Sequence, residues 1–143
     1  MEKEICFDPL KLENQICFPL YVAAKEVVRK YRPLLDPLGL TYTQYIAMMV
    51  MWEHKSVTVG RLCELLCLDT GTLTPMLKKM EAAGLVKRER SKDDERSVTV
   101  TITDAGEALR ERALEVPAKM AQCVNLSPED AVRLLELLKK LKY

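Results

Sequence analysis

The feature that most limits the fold of this chain is a change of hydrophobic period between residues 84 and 104. Before it, apolar residues recur every three or four positions, which is the spacing of one helical face. Valine or isoleucine at 98, 100 and 102 then alternates with threonine at 99, 101 and 103, which predicts a half-buried strand. Residues 85–90 predict its partner, and the charged segment 91–95 the turn between them. A mainly α chain with one small β-hairpin is expected.

Six helices are predicted around this hairpin, and most begin at residues whose side chains cap helices. The candidate cap residues are Thr41 with Gln44, Thr58, Asp69 or Thr70, Asp104 with Glu107, and Ser127. The predicted ranges are Ile16 to the 37–39 segment, 42–53, 59–66, about 70–83, 105–123 with a bend at Pro117, and 128 to the C-terminus. A short strand is also predicted at 57–59.

Length and charge exclude several classes of protein. The 143 residues favour one domain, 1–143, without linkers or repeats. The 22 basic and 21 acidic residues leave a net charge of +1, which argues against a polycation that coats nucleic acid. The longest uncharged apolar stretch, 42–52, is about half a membrane span, and no signal-peptide pattern is found. A cytoplasmic protein without a membrane partner is expected.

The five cysteines need an explanation. An odd number in a cytosolic chain does not indicate a disulfide framework. Zinc is a poor fit because there is no CxxC motif and His54 is the only histidine, so no metal or other cofactor is predicted. Buried packing and redox reactivity remain. Cys63 and Cys67 lie in an apolar helical pattern and are predicted to pack in the core, whereas Cys6 has no predicted role.

Two short helices followed by a charged hairpin predict a winged helix-turn-helix, whose second helix enters the major groove of DNA. The exposed face of that helix is predicted to carry Thr70, Thr72, Thr74 and Lys78, which suit phosphate and base-edge contacts. Residues 78–92 hold six Lys or Arg and two Glu, a local charge of +4.

Each of these features also has a simpler interpretation. Threonines at a helix start are often only caps, and a basic run is often a solvated face. Arg96, beside Asp93, Asp94 and Glu95, could belong to a turn held by local ion pairs. The order helix, helix, hairpin, with positive charge on the last two, is what favours DNA binding.

Two segments carry a resemblance to a known family. DTGTLTPMLKKMEAAGLVKRERSKDDERSVTVTITDAG (69–106) resembles the recognition helix and wing of the MarR regulators. LENQICFPLYVAAKEVVRKYRPLLDPLGLTYTQY (12–45) resembles the N-terminal helix of their organic hydroperoxide-sensing, OhrR-like branch. The resemblance implies a homodimer that joins through residues 12–38 and 105–143, while 41–103 bind a pseudo-palindromic operator in double-stranded DNA.

The resemblance also marks individual residues. It implies that Arg96 at the wing tip enters the minor groove, supported by Asp94. The full set of candidate DNA contacts is Asp69, Thr70, Thr72, Thr74, Lys78, Arg88, Arg90, Asp94 and Arg96.

Cys17 matches the family's peroxide-reactive cysteine. A thiolate is the form that attacks peroxide, and a position at a helix start favours negative charge. Tyr31 and Tyr42 match the two tyrosines that the family places beside the sulfur, and Tyr21 is a less certain third. Cys123 matches the cysteine that, in two-cysteine members, resolves the oxidised sulfur of the partner subunit as a disulfide. A one-cysteine mechanism, with Cys123 merely a free thiol, is the alternative.

The resemblance implies a repressor, not an enzyme, that binds its operator when reduced and leaves it when organic hydroperoxide oxidises Cys17. One alternative is a MarR-type repressor released by a small aromatic ligand. Another is a thiol peroxidase, which is disfavoured because the sequence offers no identifiable proton shuttle for Cys17.

Overall fold

The computed structural model describes residues 8–141 and contains seven α-helices and three short strands in that part of the chain. The helices are α1 (Cys17–Leu35), α2 (Tyr42–His54), α3 (Val59–Leu66), α4 (Thr70–Ala82), α5 (Asp104–Ala113), α6 (Val116–Cys123) and α7 (Pro128–Lys139). The strands are β1 (Ser56–Thr58), β2 (Val86–Arg90) and β3 (Val98–Ile102). Short 3-10 turns lie at Leu12–Asn14 and Asp36–Leu38.

Side-chain caps start four helices at the predicted residues. Thr41 and Gln44 form the complete capping box of α2, and Thr58 accepts a hydrogen bond from the N–H of Arg61 in α3. Asp69 caps α4, and Ser127 caps α7, with Pro128 as its first residue. Local side-chain chemistry therefore explains where these helices begin.

The region after the hairpin differs from the prediction in two ways. The cap of α5 is Thr103, whose hydroxyl accepts from the N–H of Gly106, and not Asp104. The predicted helix 105–123 is divided into α5 and α6, with the break at 114–115 instead of a bend at Pro117. Pro117 has no N–H to donate to the carbonyl four residues earlier, so α5 ends at Ala113 and Pro117 lies in the first turn of α6.

The three strands form one antiparallel sheet in the order β1-β3-β2. The hairpin pairs Val86 with Ile102 and Arg90 with Val98. The predicted strand at 57–59 is found one residue earlier, because Val59 already belongs to α3. The sheet joins the start of α3 to the hairpin through the pairing of Val57 with Val100.

The core lies where α2 and the inner face of α4 meet the sheet. Ala47, Met48 and Met51 of α2 are fully buried, which confirms that this apolar helix is central. The predicted inner face of α4 is confirmed as well: Leu73, Met76, Leu77 and Met80 are all buried.

The N- and C-terminal helices leave their apolar residues uncovered. Ile16 is 76% exposed, and Val22 and Val28 of α1 are also exposed. Among its described residues, α7 buries none, and Leu135 and Leu137 are each 49% exposed. Apolar faces of this extent are typical of protein–protein interfaces.

We expect Gly106→Ala to destabilise the fold by about 1–3 kcal/mol, because a new methyl group in a packed core forces its neighbours apart. A Cβ at this position would overlap the carbonyl oxygen of Leu85 and lie 2.7 Å from Cγ1 of Ile102. Urea denaturation at a fixed protein concentration measures the effect. Gly60→Ala is the matched control, since a Cβ there meets nothing within 4 Å. Equal midpoints for Gly106→Ala and wild type would contradict the packing argument.

Candidate nucleic-acid interface and thiol site

The outer face of α4 carries the predicted hydroxyl and lysine side chains. Thr70, Thr72 and Lys78 are exposed, and Thr74 is half-buried. The predicted capping role of Asp69 is confirmed, because its carboxylate accepts the N–H of Thr72 at 2.6 Å, whereas its DNA contact stays a prediction. Hydrogen bonds from the Thr72 side chain and then its backbone lower the pKa of Asp69. Asp69 therefore fixes the start of α4, while Thr70, Thr72 and Lys78 are exposed to solvent.

A groove of about 390 Å³ separates the starts of α3 and α4 from the wing, which is the β2–β3 hairpin. It brings together four predicted DNA contacts: Thr70, Thr74, Asp94 and Arg96. Its lining also includes Thr58 and Gly60 at the start of α3, which the sequence analysis did not select as contacts. The capping motif at Thr58 was the sequence signal that could have identified these two residues, since it places the start of α3 at the surface.

Hydrogen bonds hold the wing tip in a compact turn. The Ser91 hydroxyl accepts the N–H groups of Asp93 and Asp94, and the carboxylate of Asp94 accepts the N–H of Arg96 at 3.0 Å. Within the described part of the chain, no ion pair involves residues 93–96, so ion pairing does not hold this turn. Asp94 therefore supports Arg96 through the backbone and leaves the exposed guanidinium for other contacts.

Arg88, whose contact with DNA stays a prediction, connects the wing to α4. Its N–H donates to Glu81 Oε2 at 2.7 Å, and its guanidinium Nη2 lies 3.2 Å from Glu81 Oε1. These contacts, led by the backbone hydrogen bond, lower the pKa of Glu81. Lys87 pairs with Glu89 at 2.6 Å. The local charge of +4 is therefore carried by the four other basic residues of 78–92, which are Lys78, Lys79, Arg90 and Lys92.

Cys17 is the first residue of α1 and is exposed, as predicted for a sulfur at a helix start. Tyr31 and Tyr42 meet near the other end of α1, where their ring centroids are 4.9 Å apart. Burial, followed by the charges of neighbouring tyrosines, raises the pKa of Tyr31, which keeps its hydroxyl a hydrogen-bond donor. Tyr21 is 61% exposed and lies beneath the ammonium group of Lys25.

One chain does not bring Cys17 to these tyrosines. Cys17 and Tyr31 lie fourteen residues apart on one helix, and that separation spans about 21 Å. Cys123, the last residue of α6, lies at the tyrosine end, because its carbonyl accepts the Lys30 ammonium at 2.7 Å. A disulfide requires Cα atoms about 4.4–6.8 Å apart. Cys17 and Cys123 of one chain are therefore too far apart to form one.

The other cysteines differ from one another. Cys63 is half-buried against the core, with Sγ 3.7 Å from the Thr70 hydroxyl. The prediction that Cys67 packs in the core is wrong. Cys67 ends α3 in a left-handed conformation, with φ of 53°, and this turn directs it into solvent. Cys6 lies outside the described residues.

Neither a metal site nor a membrane-spanning helix is found within residues 8–141. No group of three His, Cys, Asp or Glu side chains in this range is arranged to hold a metal ion. None of the helices in the same range combines the length and apolarity needed to cross a bilayer.

Comparison with known proteins gives consistent matches. The model of the SarA/Rot transcriptional regulators matches residues 26–112. The organic hydroperoxide resistance transcriptional regulator of Bacillus subtilis is 48% identical over 128 residues, which cover 90% of this chain and 87% of the relative.

Among solved structures, AbfR of Staphylococcus epidermidis is a close match in two states. Its reduced form bound to DNA is 35% identical, with a TM-score of 0.78 and coverage of 92% of each chain. Its disulfide form has a TM-score of 0.66, with coverage of 92% of this chain and 93% of that one. These matches confirm the predicted winged-helix architecture. The chain therefore belongs to the SarA/Rot family of transcriptional regulators, whose fold is MarR-like.

Proposed function

We propose that this protein is a dimeric, redox-sensing repressor that binds operator DNA when reduced and leaves it after organic hydroperoxide oxidises Cys17. The observation that carries the proposal is the distribution of groups along α1. The candidate reactive sulfur lies at one end, while Tyr31, Tyr42 and Cys123 gather at the other. The 48% identity to the organic hydroperoxide resistance regulator supports the oxidant class.

A second copy of the chain completes the thiol site. The exposed apolar residues of α1 and α7 supply a surface for such a partner. Most homodimers have twofold symmetry, so a contact made by one chain is repeated by the other. In a dimer that crosses the two α1 helices, Cys17 of each chain reaches the tyrosines and Cys123 of its partner. Residues 12–38 and 105–143 would then form the dimer, and 41–103 would bind DNA.

The proposed reaction has two steps, the oxidation of Cys17 and the formation of a disulfide with Cys123. The Cys17 thiolate attacks the outer peroxide oxygen, and the O–O bond breaks to give a sulfenic acid and an alkoxide, which takes up the proton that the thiol released on ionising and leaves as an alcohol. The tyrosine hydroxyls donate hydrogen bonds to the thiolate and to the departing alkoxide. The thiol of Cys123 from the other chain then attacks the sulfenic sulfur, forms the disulfide and releases water.

The disulfide, and not the first oxidation, is the form we propose to leave DNA. Overoxidised AbfR is a DNA complex, as is reduced AbfR, so oxidation alone does not prevent that relative from binding. This chain matches the reduced complex with a TM-score of 0.78 and the disulfide form with only 0.66. A bridge between the subunits would shift α1 and α6, and with them the spacing of the two α4 helices.

In the reduced dimer, α4 would enter the major groove and the wing the adjacent minor groove. Thr70, Thr72 and Lys78 are exposed on α4, and Arg96 projects from the wing tip. Thr74 and Asp94 line the groove between them. The other exposed basic residue of the predicted set is Arg90, which lies on β2 and would contact phosphate.

A second candidate trigger, a small aromatic acid, is favoured by one cavity. A pocket of about 380 Å³ between α2 and α5 is lined by Tyr45, Trp52 and Arg110, which suit a planar ring and a carboxylate, and Glu53 also lies in its wall. If salicylate released DNA equally well from wild type and Cys17→Ser, this trigger would replace the redox one.

We expect organic hydroperoxide to convert the protein into a covalent dimer on a non-reducing gel. Cys17→Ser and Cys123→Ser should each abolish the dimer, and a mixture of the two variants, refolded together, should restore one bridge. Only a disulfide between chains gives that complementation. Cys67→Ser, which removes another exposed thiol, is the matched control and should cross-link normally. A monomeric band from oxidised wild type would refute the two-cysteine mechanism.

We expect Tyr31→Phe and Tyr42→Phe to slow the loss of the Cys17 thiol by about tenfold each, since a hydrogen bond to a charged group contributes about 1.5–3 kcal/mol. Stopped-flow thiol titration with cumene hydroperoxide measures the rate. Tyr21→Phe makes the same atomic change at an exposed tyrosine, and its rate decides whether this less certain third tyrosine also takes part. Unchanged rates in both variants would show that Tyr31 and Tyr42 take no part in the oxidation of Cys17.

We expect Arg96→Ala to weaken operator binding by about tenfold and to reduce the salt dependence of binding, because one minor-groove cation is lost. Fluorescence anisotropy over a range of salt concentrations measures both quantities. Lys119→Ala removes one positive charge from α6, remote from the wing, and should leave both unchanged. Equal affinity of Arg96→Ala and wild type at physiological salt would reject the wing contact.

A further inference from the structure

The glycines of this chain divide into those that the fold requires and those that it does not. Gly39 and Gly84 have φ of 68° and 77°, where other residues are strained. Gly106 is required because a Cβ there would overlap the backbone at Leu85. Neither reason explains Gly60 or Gly71, because both are helical, with an ordinary φ and open space where a Cβ would lie. Both are the second residue of a helix of the helix-turn-helix.

Gly71 lies on the outermost line of α4. The buried residues of this helix are Leu73, Met76, Leu77 and Met80. At 3.6 residues per turn, position 71 falls directly opposite the middle of that buried face. A Cβ on Gly71 would approach only the Asp69 carboxylate, at 3.6 Å, which is an ordinary contact. The free protein therefore has room for a side chain at the point of α4 that projects farthest from the core.

A glycine at this position lowers the stability of the helix, and no contact in the free protein compensates for that loss. Alanine has a higher helix propensity than glycine and fits the space. Pro75, four residues later, lacks the N–H that would bond to the carbonyl of Gly71, which weakens this turn further. Local stability alone would favour another residue at 71. Such a departure from local preference is expected where a surface must admit a ligand.

We propose that Gly71 is the point of closest approach between α4 and the base pairs, and that it determines how deeply the helix enters the major groove. The inference rests on the proposed DNA binding. Glycine lets the helix backbone come into van der Waals contact with the edges of the bases. Thr70 and Thr72, the residues before and after Gly71, then reach the hydrogen-bonding groups of the bases. A side chain at 71 would hold both threonines away from the bases. Gly71 is thus a specificity-determining residue that acts by its lack of volume.

Gly71→Ala and Gly71→Leu test this inference on the full-length reduced protein. The probes are an operator duplex selected by the wild-type protein from random sequences and an unrelated duplex of equal length. We expect the Kd for the operator to rise about tenfold or more with alanine, the scale of one mismatched base pair, and further with leucine. The Kd for the unrelated duplex should change less than about twofold, because non-specific binding depends on phosphate charge.

Two further measurements separate this role from a structural or electrostatic one. Gly71→Ala should keep or slightly raise Tm, whereas a lower Tm would show that the fold requires this glycine and would overturn the inference. The salt dependence of operator binding should match wild type for Gly71→Ala and decrease for Lys78→Ala, because only the second variant removes a charge. Operator affinity equal to wild type in both Gly71 variants would also overturn it. If the wild-type protein selected no duplex, the proposed DNA binding itself would fail.

Discussion

The close packing of Gly106 against the hairpin is the contact on which the rest of the structure depends. Gly106 touches the backbone at Leu85, and its carbonyl accepts the Trp52 indole N–H at 2.9 Å. The N–H of Thr103 donates to the carbonyl of Leu85 at 3.1 Å. The central helix α2, the wing and the start of α5 therefore meet at one residue without a side chain. A bulkier residue would separate the DNA-binding part from the helices that continue to the C-terminus.

A continuous row of aromatic side chains links this junction to the candidate thiol site. Tyr42 contacts Tyr31, Tyr31 contacts Tyr45 with ring centroids 5.8 Å apart, and Tyr45 contacts Trp52 edge-on at 6.4 Å. Burial, followed by the neighbouring charge of Tyr42, raises the pKa of Tyr45. The tyrosines proposed to face the partner's sulfur are thus packed directly against the central helix of the DNA-binding part.

Sequence reasoning succeeded where local chemistry decides structure. Capping side chains fixed the starts of α2, α3, α4 and α7, and alternation fixed β3, because these signals act within a few residues. Sequence reasoning did not reach features that depend on contacts between distant residues or on the hydrogen bonding of the backbone. The contact of Arg88 with Glu81 was not predicted, because it depends on the packing of the wing on α4. Cys67 is exposed because it ends α3 in a left-handed cap that its apolar neighbours do not reveal. The division of the helix at 114–115 follows from the carbonyl that Pro117 cannot satisfy, not from a bend at the proline itself.

The thiol site was predictable only as a set of residue types. Cys17, Tyr31 and Tyr42 were selected through resemblance, and the helix predicted from Ile16 already separates Cys17 from Tyr31. The sequence could not show that Tyr42 and Cys123 lie at the Tyr31 end of α1, because that depends on contacts between distant residues. An interruption at Pro33 was possible in principle, since proline removes one hydrogen bond, but the helix continues two residues beyond it. The regular geometry of α1 is therefore the reason for proposing that the partner of Cys17 lies on another chain.

The Glu81–Arg88 contact has a mechanical consequence. It holds the wing against α4 within one chain, so the two elements that we propose enter the major and minor grooves are joined to each other directly. DNA release then does not need either element to bend or unfold. In the proposed dimer, a shift between the two subunits would therefore leave each α4–wing unit intact while changing the distance between the two units, so that they no longer match successive turns of the DNA helix.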